Sequence, residues 1–315
     1  MAKPDLSIII VNWKVRRLLD KCLQSLEKYS HGLKLEIFVV DNDSQDGTSE
    51  MLIMDFPDVI SIALPRNHGF AKACNLGIKQ SDGDYILLLN PDTEIGENTL
   101  PGLLEYMRQH PEVGILGPKI LSSDGTVQHS VRKFPDLHSQ ILTLLKLQNI
   151  ISPQLAKQKK MNMPPSILLT KVGTKLSAQD AIGEYLQENF DYSRTQEVEQ
   201  VMGAAMLINR KLVDQIGLLD EKFFVWFEEV DYCLRARRAG WSVVFFPQAT
   251  LRHQAGASFN QRGIIRKQFI FNRSLLHFFW KNKPRWQWLI LLLLTPLNIM
   301  LTIYYAWFLH PDEEE

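Results

Sequence analysis

From Leu6 to Leu89 the chain alternates short apolar runs with amphipathic helical stretches, and this alternation restricts its fold more than any other feature. Leu6 to Val11 reads as a buried strand, and Val15 to Tyr29 as a helix with Leu18, Leu19, Cys22, Leu23 and Leu26 on one face. Further strands are predicted over residues 35–40, 59–64 and 85–89, separated by helices over 48–55 and 70–80. The run Tyr85 to Leu89 is apolar on both faces, as a central strand should be. Strands joined through helices run mostly parallel, so the predicted class is α/β, a mostly parallel sheet flanked by helices. Ligands on such sheets bind beyond the carboxyl ends of the strands.

Those ends carry polar residues. The second strand runs into VVDNDSQDGT (39–48), which places Asp41 and Asp43 at its end, and the central strand runs into LLLNPDTEI (87–95), which places Asn90 and Asp92. A turn uses Asn, Pro, Asp and Gly in any case, but two acidic strand ends on one edge point to a site. A dinucleotide fold needs a glycine-rich turn after its first strand. Here Asn12, Trp13 and Lys14 follow that strand, with no glycine before Gly32 and no GxxxxGK[ST] anywhere. A nucleotide would instead be held by carboxylates, with a metal ion at its phosphates. The 35 basic and 35 acidic side chains argue against a nucleic-acid binder. Cys22, Cys74 and Cys233 form neither a disulfide framework nor a zinc cluster, which fits a reducing compartment.

Seven segments in order resemble the GT-A glycosyltransferases of family 2, especially rhamnosyltransferase-like enzymes. They are SIIIVNW (7–13), VVDNDSQDGT (39–48), PRNHGFAKACNLGI (65–78), GDYILLLNPDTEI (83–95), VMGAAMLINRK (201–211), FFVWFEEVDYCLRARRAGW (223–241) and HQAGAS (253–258). The resemblance implies that Asp41 and Asp43 contact the nucleoside of a sugar nucleotide, with Asn67, Gly69 and Asn75 approaching the same donor. It also sets Asn90-Pro91-Asp92 at the family's metal-binding Asp-x-Asp motif. Asp92, with His253, would then hold Mg²⁺ or Mn²⁺ on the diphosphate. Asn90 replaces the motif's first Asp and removes one negative charge. The run Gly203-Ala204-Ala205 matches the place where backbone passes close to the donor sugar, and Arg252, Arg262 or Arg266 would face the leaving diphosphate.

Transfer to an acceptor hydroxyl needs a general base. Val230, Cys233, Leu234 and Arg237 follow helical spacing, so Glu228, Glu229 and Asp231 fall in a first turn, where the helix dipole favours ionised acids. Relatives carry Glu-Asp where this chain has Glu228-Glu229. That match implies Glu229 as base, with Glu228 and Asp231 as alternatives. Asp231 can pair with Arg235 at i,i+4, and it suits orienting the loop or contacting the acceptor.

Residues 288 to 309 contain no charge and would extend roughly 33 Å as a helix, enough for a bilayer core. Trp286, Trp288, Tyr304, Tyr305 and Trp307 flank the run as interfacial belts do. Lys281, Lys283 and Arg285 precede it, which places the domain on the cytoplasmic face of the inner membrane. Pro296 and Asn298 leave a bent or half-inserted helix as the competing arrangement. No signal-peptide pattern opens the chain. Between Tyr232 and Pro311 there is no acid but many Arg and Lys, which reads as a surface for anions. Residues 137–151, apolar and followed by Lys157, Lys159 and Lys160, read as a membrane-lying or a packing helix.

The expected organisation is a nucleotide-sugar-binding half (1–134), a variable helical insert (135–200), an acceptor and catalytic half (201–280) and a membrane anchor with an acidic tail (281–315). The expected function is inverting transfer of one sugar, rhamnose from dTDP-rhamnose on the family likeness, to a polyprenyl diphosphate-linked glycan at a membrane. Processive relatives carry Gln-x-x-Arg-Trp; here Asn282 stands at the Gln position before Arg285-Trp286, which favours a single addition. An inactive membrane-bound scaffold with the same fold is the alternative, supported by Asn90 and Glu229.

Overall fold

The computed structural model describes residues 3–30, 32–147, 178–254, 256–257 and 261–309. Strands β1 (Leu6–Asn12), β2 (Leu35–Asp41), β3 (Ile60–Ala63) and β4 (Tyr85–Leu89) pair in parallel, connected by α1 (Arg16–Tyr29), α2 (Thr48–Asp55) and α3 (Phe70–Gln80). The period-2 rule divides β1 cleanly. Leu6, Ile8 and Ile10 meet Leu19, Cys22, Leu23 and Leu26 of α1, while Ile9 and Val11 face Ala71, Cys74 and Ile78 of α3. Strand β4 lies between β1 and β10, the central position that its two apolar faces require.

Past β4 come β5 (Thr93–Ile95), α4 (Thr99–Gln109), β6 (Val113–Leu121), β7 (Val131–Arg132), α5 (Leu137–Leu144), α6 (Ala178–Leu186), β8 (Gln196–Glu197), β9 (Gln200–Val201) and β10 (Ala205–Asn209). They are followed by α7 (Arg210–Ile216), α8 (Glu228–Arg238), β11 (Ser242–His253), α9 (Ile264–Asn282) and α10 (Arg285–Leu309). The main path of the large sheet is β3-β2-β1-β4-β10-β6-β11-β5. The sheet is mixed: beside the parallel pairs of β1 to β4 and of β6 with β11, β10 is antiparallel to both β4 and β6, and β5 is antiparallel to β11. The chain enters β10 from the carboxyl end of β4, where the Asn90 N–H donates to the Ala204 carbonyl at 2.9 Å.

Strand β11 sets His253 opposite Thr93, one residue past Asp92. Helices α9 and α10, joined by Lys283 and Pro284, fold back on each other, and Leu275, Phe278, Phe279 and Leu291 pack on Phe223, Phe227 and Val230. Helix α5 buries Leu142 and Leu144, so it packs within the protein. The lysines near residue 160 and the acidic tail after Leu309 lie outside the described residues.

Candidate active site

The polar strand ends converge on one cavity of about 520 Å³, within the roughly 300–1,000 Å³ typical of small-molecule sites. Asn42, Asn67, Asn90, Asp92 and His253 line one part, and Glu228 and Glu229 another. Tyr185, Met202, Trp226, Phe227 and Phe271 form an apolar side. Asp92 and the acids of α8 therefore share a cleft.

Asp92 and His253 are buried, with His253 Nε2 3.3 Å from Asp92 Oδ1 and 3.4 Å from Asn90 Nδ2. Gln128 fixes the ring. Its Nε2 donates to the His253 carbonyl at 2.8 Å, which turns its Oε1 to His253 Nδ1 at 3.0 Å. Nδ1 is then the donor, and Nε2 presents its lone pair to Asp92. A metal ion between that lone pair and the carboxylate would attract both. Among the described residues no cluster of three metal-ligating side chains forms. Two protein ligands suit a divalent ion that takes its remaining oxygens from a diphosphate, so the donor set fits the expected metal.

Helix α8 begins after two residues with left-handed backbone, Trp226 (φ 66°) and Phe227 (φ 69°). Such geometry costs about 1–3 kcal/mol per residue and persists only where packing dictates it. Phe227 is buried between Phe271 and Phe278, with ring centroids 5.6 and 5.7 Å away. This turn brings Glu228 and Glu229 to the cavity, and Oε2 of each is buried without a hydrogen-bond partner. Buried polar atoms are seldom left so. The dipole alone was expected to keep these acids ionised, but burial outweighs it and pushes both carboxyls up. Glu228 rises further because the charge of Glu229 adds to its desolvation, whereas backbone N–H groups and Arg132 hold Glu229 back.

Asp231 does not share this position. It is fully buried and accepts from Arg235 Nε at 2.9 Å, Lys281 Nζ at 2.9 Å and Asn282 Nδ2 at 3.0 Å, away from the cavity lining. These bonds anchor α8 to α9. Arg237 pairs with Glu197, so the basic block is partly consumed by internal ion pairs. Of the three arginines proposed for the leaving group, Arg262 lines the cavity, 4.2 Å over the Trp13 ring. Arg252 and Arg266 are exposed and outside the lining.

Asp41 sits behind the cavity wall, accepting from Asn12 Nδ2 at 3.1 Å, from Ser44 N at 3.3 Å and from the Ser44 hydroxyl. Asp43, at φ 67°, accepts from Gln45 Nε2 at 2.8 Å and does not line the cavity. Asn75 is likewise outside the lining. Its amide clasps Leu219 (Nδ2 to the carbonyl 2.9 Å, backbone N–H to Oδ1 3.1 Å) and faces away. Asn67 lines the cavity and accepts from the Gly69 N–H at 2.9 Å. Gly69 has φ 88°, and a Cβ there would fall 2.3 Å from the Phe224 carbonyl oxygen. At Gly203 the nearest contact for a Cβ would be Glu229 Cβ at 3.5 Å. That is an ordinary van der Waals contact, so packing tolerates a methyl group there.

Sequence reasoning missed Asn42, whose Nδ2 donates to the Gly69 carbonyl at 3.1 Å and whose Oδ1 accepts from the His68 N–H at 2.8 Å. Its signal was a position between two candidate acids. Trp13, directly after β1, also lines the cavity.

The arrangement has known counterparts. A mannosyltransferase from Pyrobaculum calidifontis, solved with GDP-Man and Mn²⁺, superposes with a TM-score of 0.54 at 15% identity, over 97% of this chain and 76% of its own. GalNAc-T7, solved with UDP, GalNAc and Mn²⁺, superposes with a TM-score of 0.51 at 14% identity, over 80% of this chain and 44% of its own. These likenesses define the fold as that of the GT-A glycosyltransferases. The sequence model described as Glycosyl transferase family 2 matches residues 7–171, and the chain belongs to that family. It is 26% identical over 264 residues to the N-acetylglucosaminyl-diphospho-decaprenol L-rhamnosyltransferase of Mycobacterium tuberculosis, covering 80% of this chain and 77% of that one. It is also 28% identical to a low-salt glycan biosynthesis hexosyltransferase of Haloferax volcanii, covering 74% of this chain and 62% of that one. The chain is a glycosyltransferase of rhamnosyltransferase-like type.

Proposed function

We propose that this chain moves one sugar, with inversion, from a nucleoside diphosphate donor to the glycan of a membrane lipid diphosphate. The observation that carries it is the single cavity holding Asp92 and His253 beside the unpartnered oxygens of Glu228 and Glu229. The name of the mycobacterial relative supports rhamnose as the sugar and a polyprenyl diphosphate-linked acceptor.

Burial raises both carboxyls of the acid pair, and of the two Glu229 is the proposed base. A carboxylate raised by burial is a stronger base than an exposed one, and it sits where an acceptor hydroxyl can reach it. Glu229 takes the hydroxyl proton as that oxygen bonds to the anomeric carbon, and the bond from carbon to the diphosphate oxygen breaks on the opposite side. Asp92 and His253 would hold Mg²⁺ or Mn²⁺, which supplies positive charge to the leaving diphosphate. Asn42 and Asn67 shape the donor loop, with Asp41 fixing the wall behind it. Arg262 lies at the same cavity as a fixed cation. Helix α10 attaches the enzyme to a membrane, and the basic residues before it suit an anionic leaflet such as the cytoplasmic one.

The test is a donor panel, led by dTDP-rhamnose, with extracted lipid-linked acceptors and either metal ion. Turnover by the wild type that disappears in Asp92→Ala and Glu229→Gln is the expected result. A folded wild type inert with every donor and acceptor would leave only the scaffold alternative.

A further inference from the structure

A helix from Arg285 to Leu309 is long enough to cross a bilayer, at about 1.5 Å per residue. Length does not decide how it meets the membrane, because its two sides differ. Leu291, Asn298, Thr302 and Ala306 are buried, and Leu289, Leu293, Leu297, Met300, Tyr304 and Trp307 are exposed. The buried side is tied to the protein by polar bonds. Asn298 Oδ1 accepts from Asn272 Nδ2 of α9 at 2.8 Å, and Asn298 Nδ2 donates to the Leu144 carbonyl of α5 at 2.6 Å.

Helix α9 is in turn tied to the body. His277 Nε2 lies 3.0 Å from Asp220, Lys281 bonds both Asp220 and Asp231 at 2.9 Å, and the Ser274 hydroxyl donates to the Val225 carbonyl at 2.9 Å. If α10 crossed a bilayer in this packing, α9 would enter the hydrocarbon with Arg266, Lys267, Arg273 and Lys281. Each such charge costs at least about 2.5 kcal/mol there. Crossing alone would strip Asn298 of both partners in an apolar medium.

We propose that α10 does not span but lies in the plane of one leaflet. The row from Leu289 to Trp307 enters the lipid, and the opposite side stays on α9 and α5. Helices of this kind usually carry their own polar face; here α9 and the body supply it. The occupant is an anionic bilayer surface, because Arg266 and Arg273 are exposed on the packed helix α9, Arg285 is exposed at the start of α10 and Arg238 bonds Asn282 at the end of α9, with no acid between Tyr232 and Leu309. Phe271 lines the cavity next to Asn272, the residue that holds α10. The cavity therefore lies beside the lipid-facing helix, where the head group of a membrane-bound acceptor would be presented. The inference rests on the membrane attachment proposed for this chain, and not on its chemistry.

The test is sidedness. Cys22, Cys74 and Cys233 are buried, so a membrane-impermeant maleimide reports on Asp58→Cys in the body and on a cysteine tag appended after Glu315. In inside-out and right-side-out membrane vesicles from cells expressing the full chain, both sites should label in the same preparation. Labelling in opposite preparations means a span and overturns the inference alone. Protein found wholly in the supernatant overturns it together with the membrane attachment. Leu293→Glu and Met300→Glu should each lower the membrane-bound fraction about tenfold or more without moving the thermal midpoint. A lowered midpoint without release would show that this row packs on protein, and would overturn the inference as well.

Discussion

Two turns bring buried carboxyl groups to the site, and they treat them in opposite ways. In the turn after β2, Asp41 accepts from Asn12 Nδ2, the Ser44 N–H and the Ser44 hydroxyl. In the turn before α8, Glu228 and Glu229 each keep a buried oxygen with no partner. A carboxylate that is fully bonded holds backbone in place. One that is dry and unbonded costs free energy in the resting protein, and that cost is offset when a ligand arrives. Under the proposed function the second turn supplies the chemistry while the bonds of Asp41 hold the first in place, although both read as acid clusters in the sequence.

The largest test of this contrast is paired substitution within α8. Glu229→Gln should lower kcat by about 10²–10⁴-fold with the donor KM nearly unchanged, measured by release of the nucleoside diphosphate. Asp231→Asn, two residues on, should keep most of the turnover, since Asp231 faces Arg235, Lys281 and Asn282. If Glu228→Gln proves the more damaging of the two glutamate variants, the roles of the pair are exchanged. If Asp231→Asn abolishes turnover in a folded protein, the division between chemistry and construction breaks.

The same contrast predicts the reverse order for stability. Asp231→Ala removes the partner of Arg235 and Lys281, whose side chains are 19% and 30% exposed. Their residual contact with water puts the cost near the low end of the range for a broken buried pair, about 3 kcal/mol, read from the urea midpoint. Glu229→Gln should lose far less.

Much of this was legible from residue types and spacing. The strands and helices from β1 to β4 follow from period-2 and period-3.6 patterns and lie within one or two residues of expectation. Asp92 with His253, and the acids with the first turn of α8, also fall where motif order placed them. What failed was long-range. The direction of β10 depends on how residues 202–204 cross the carboxyl end of β4. Asn75 is held by Leu219, and Asp231 by Lys281 and Asn282. No local pattern records such partners. The dipole argument for ionised acids failed because it omitted burial, which only the folded chain sets.

Two glycines sharpen the comparison at a smaller scale. Gly69→Ala drives a Cβ to 2.3 Å from the Phe224 carbonyl at a left-handed φ, so it should cost about 2 kcal/mol or more in thermal unfolding. Gly203→Ala meets nothing closer than 3.5 Å and should leave stability almost unchanged. Any loss of turnover in Gly203→Ala would then come from space taken from a ligand or from a shifted Glu229, whose side chain that Cβ would touch. Equal destabilisation by both would remove the distinction.

The smallest effect is one of sign. Burial and the charge of Glu229 push the Glu228 carboxyl well above its ordinary value of 4.5. Its neutral form is therefore favoured by the fold, and this contribution is complete below about pH 4.5 and is lost as pH rises through the folded value. Asp220 behaves oppositely. Burial alone would raise it, but hydrogen bonds from His277 and Lys281 win and hold it below 3.8. Its contribution is present above that value and disappears as pH falls through the folded one. Thermal midpoints should thus rise in Glu228→Gln relative to wild type at about pH 8 and converge with it near pH 4. Asp220→Asn should instead be less stable than wild type at about pH 8, with the gap narrowing in acid. The same slope in both variants would mean that the two acidic regions do not differ in the way their hydrogen bonds indicate.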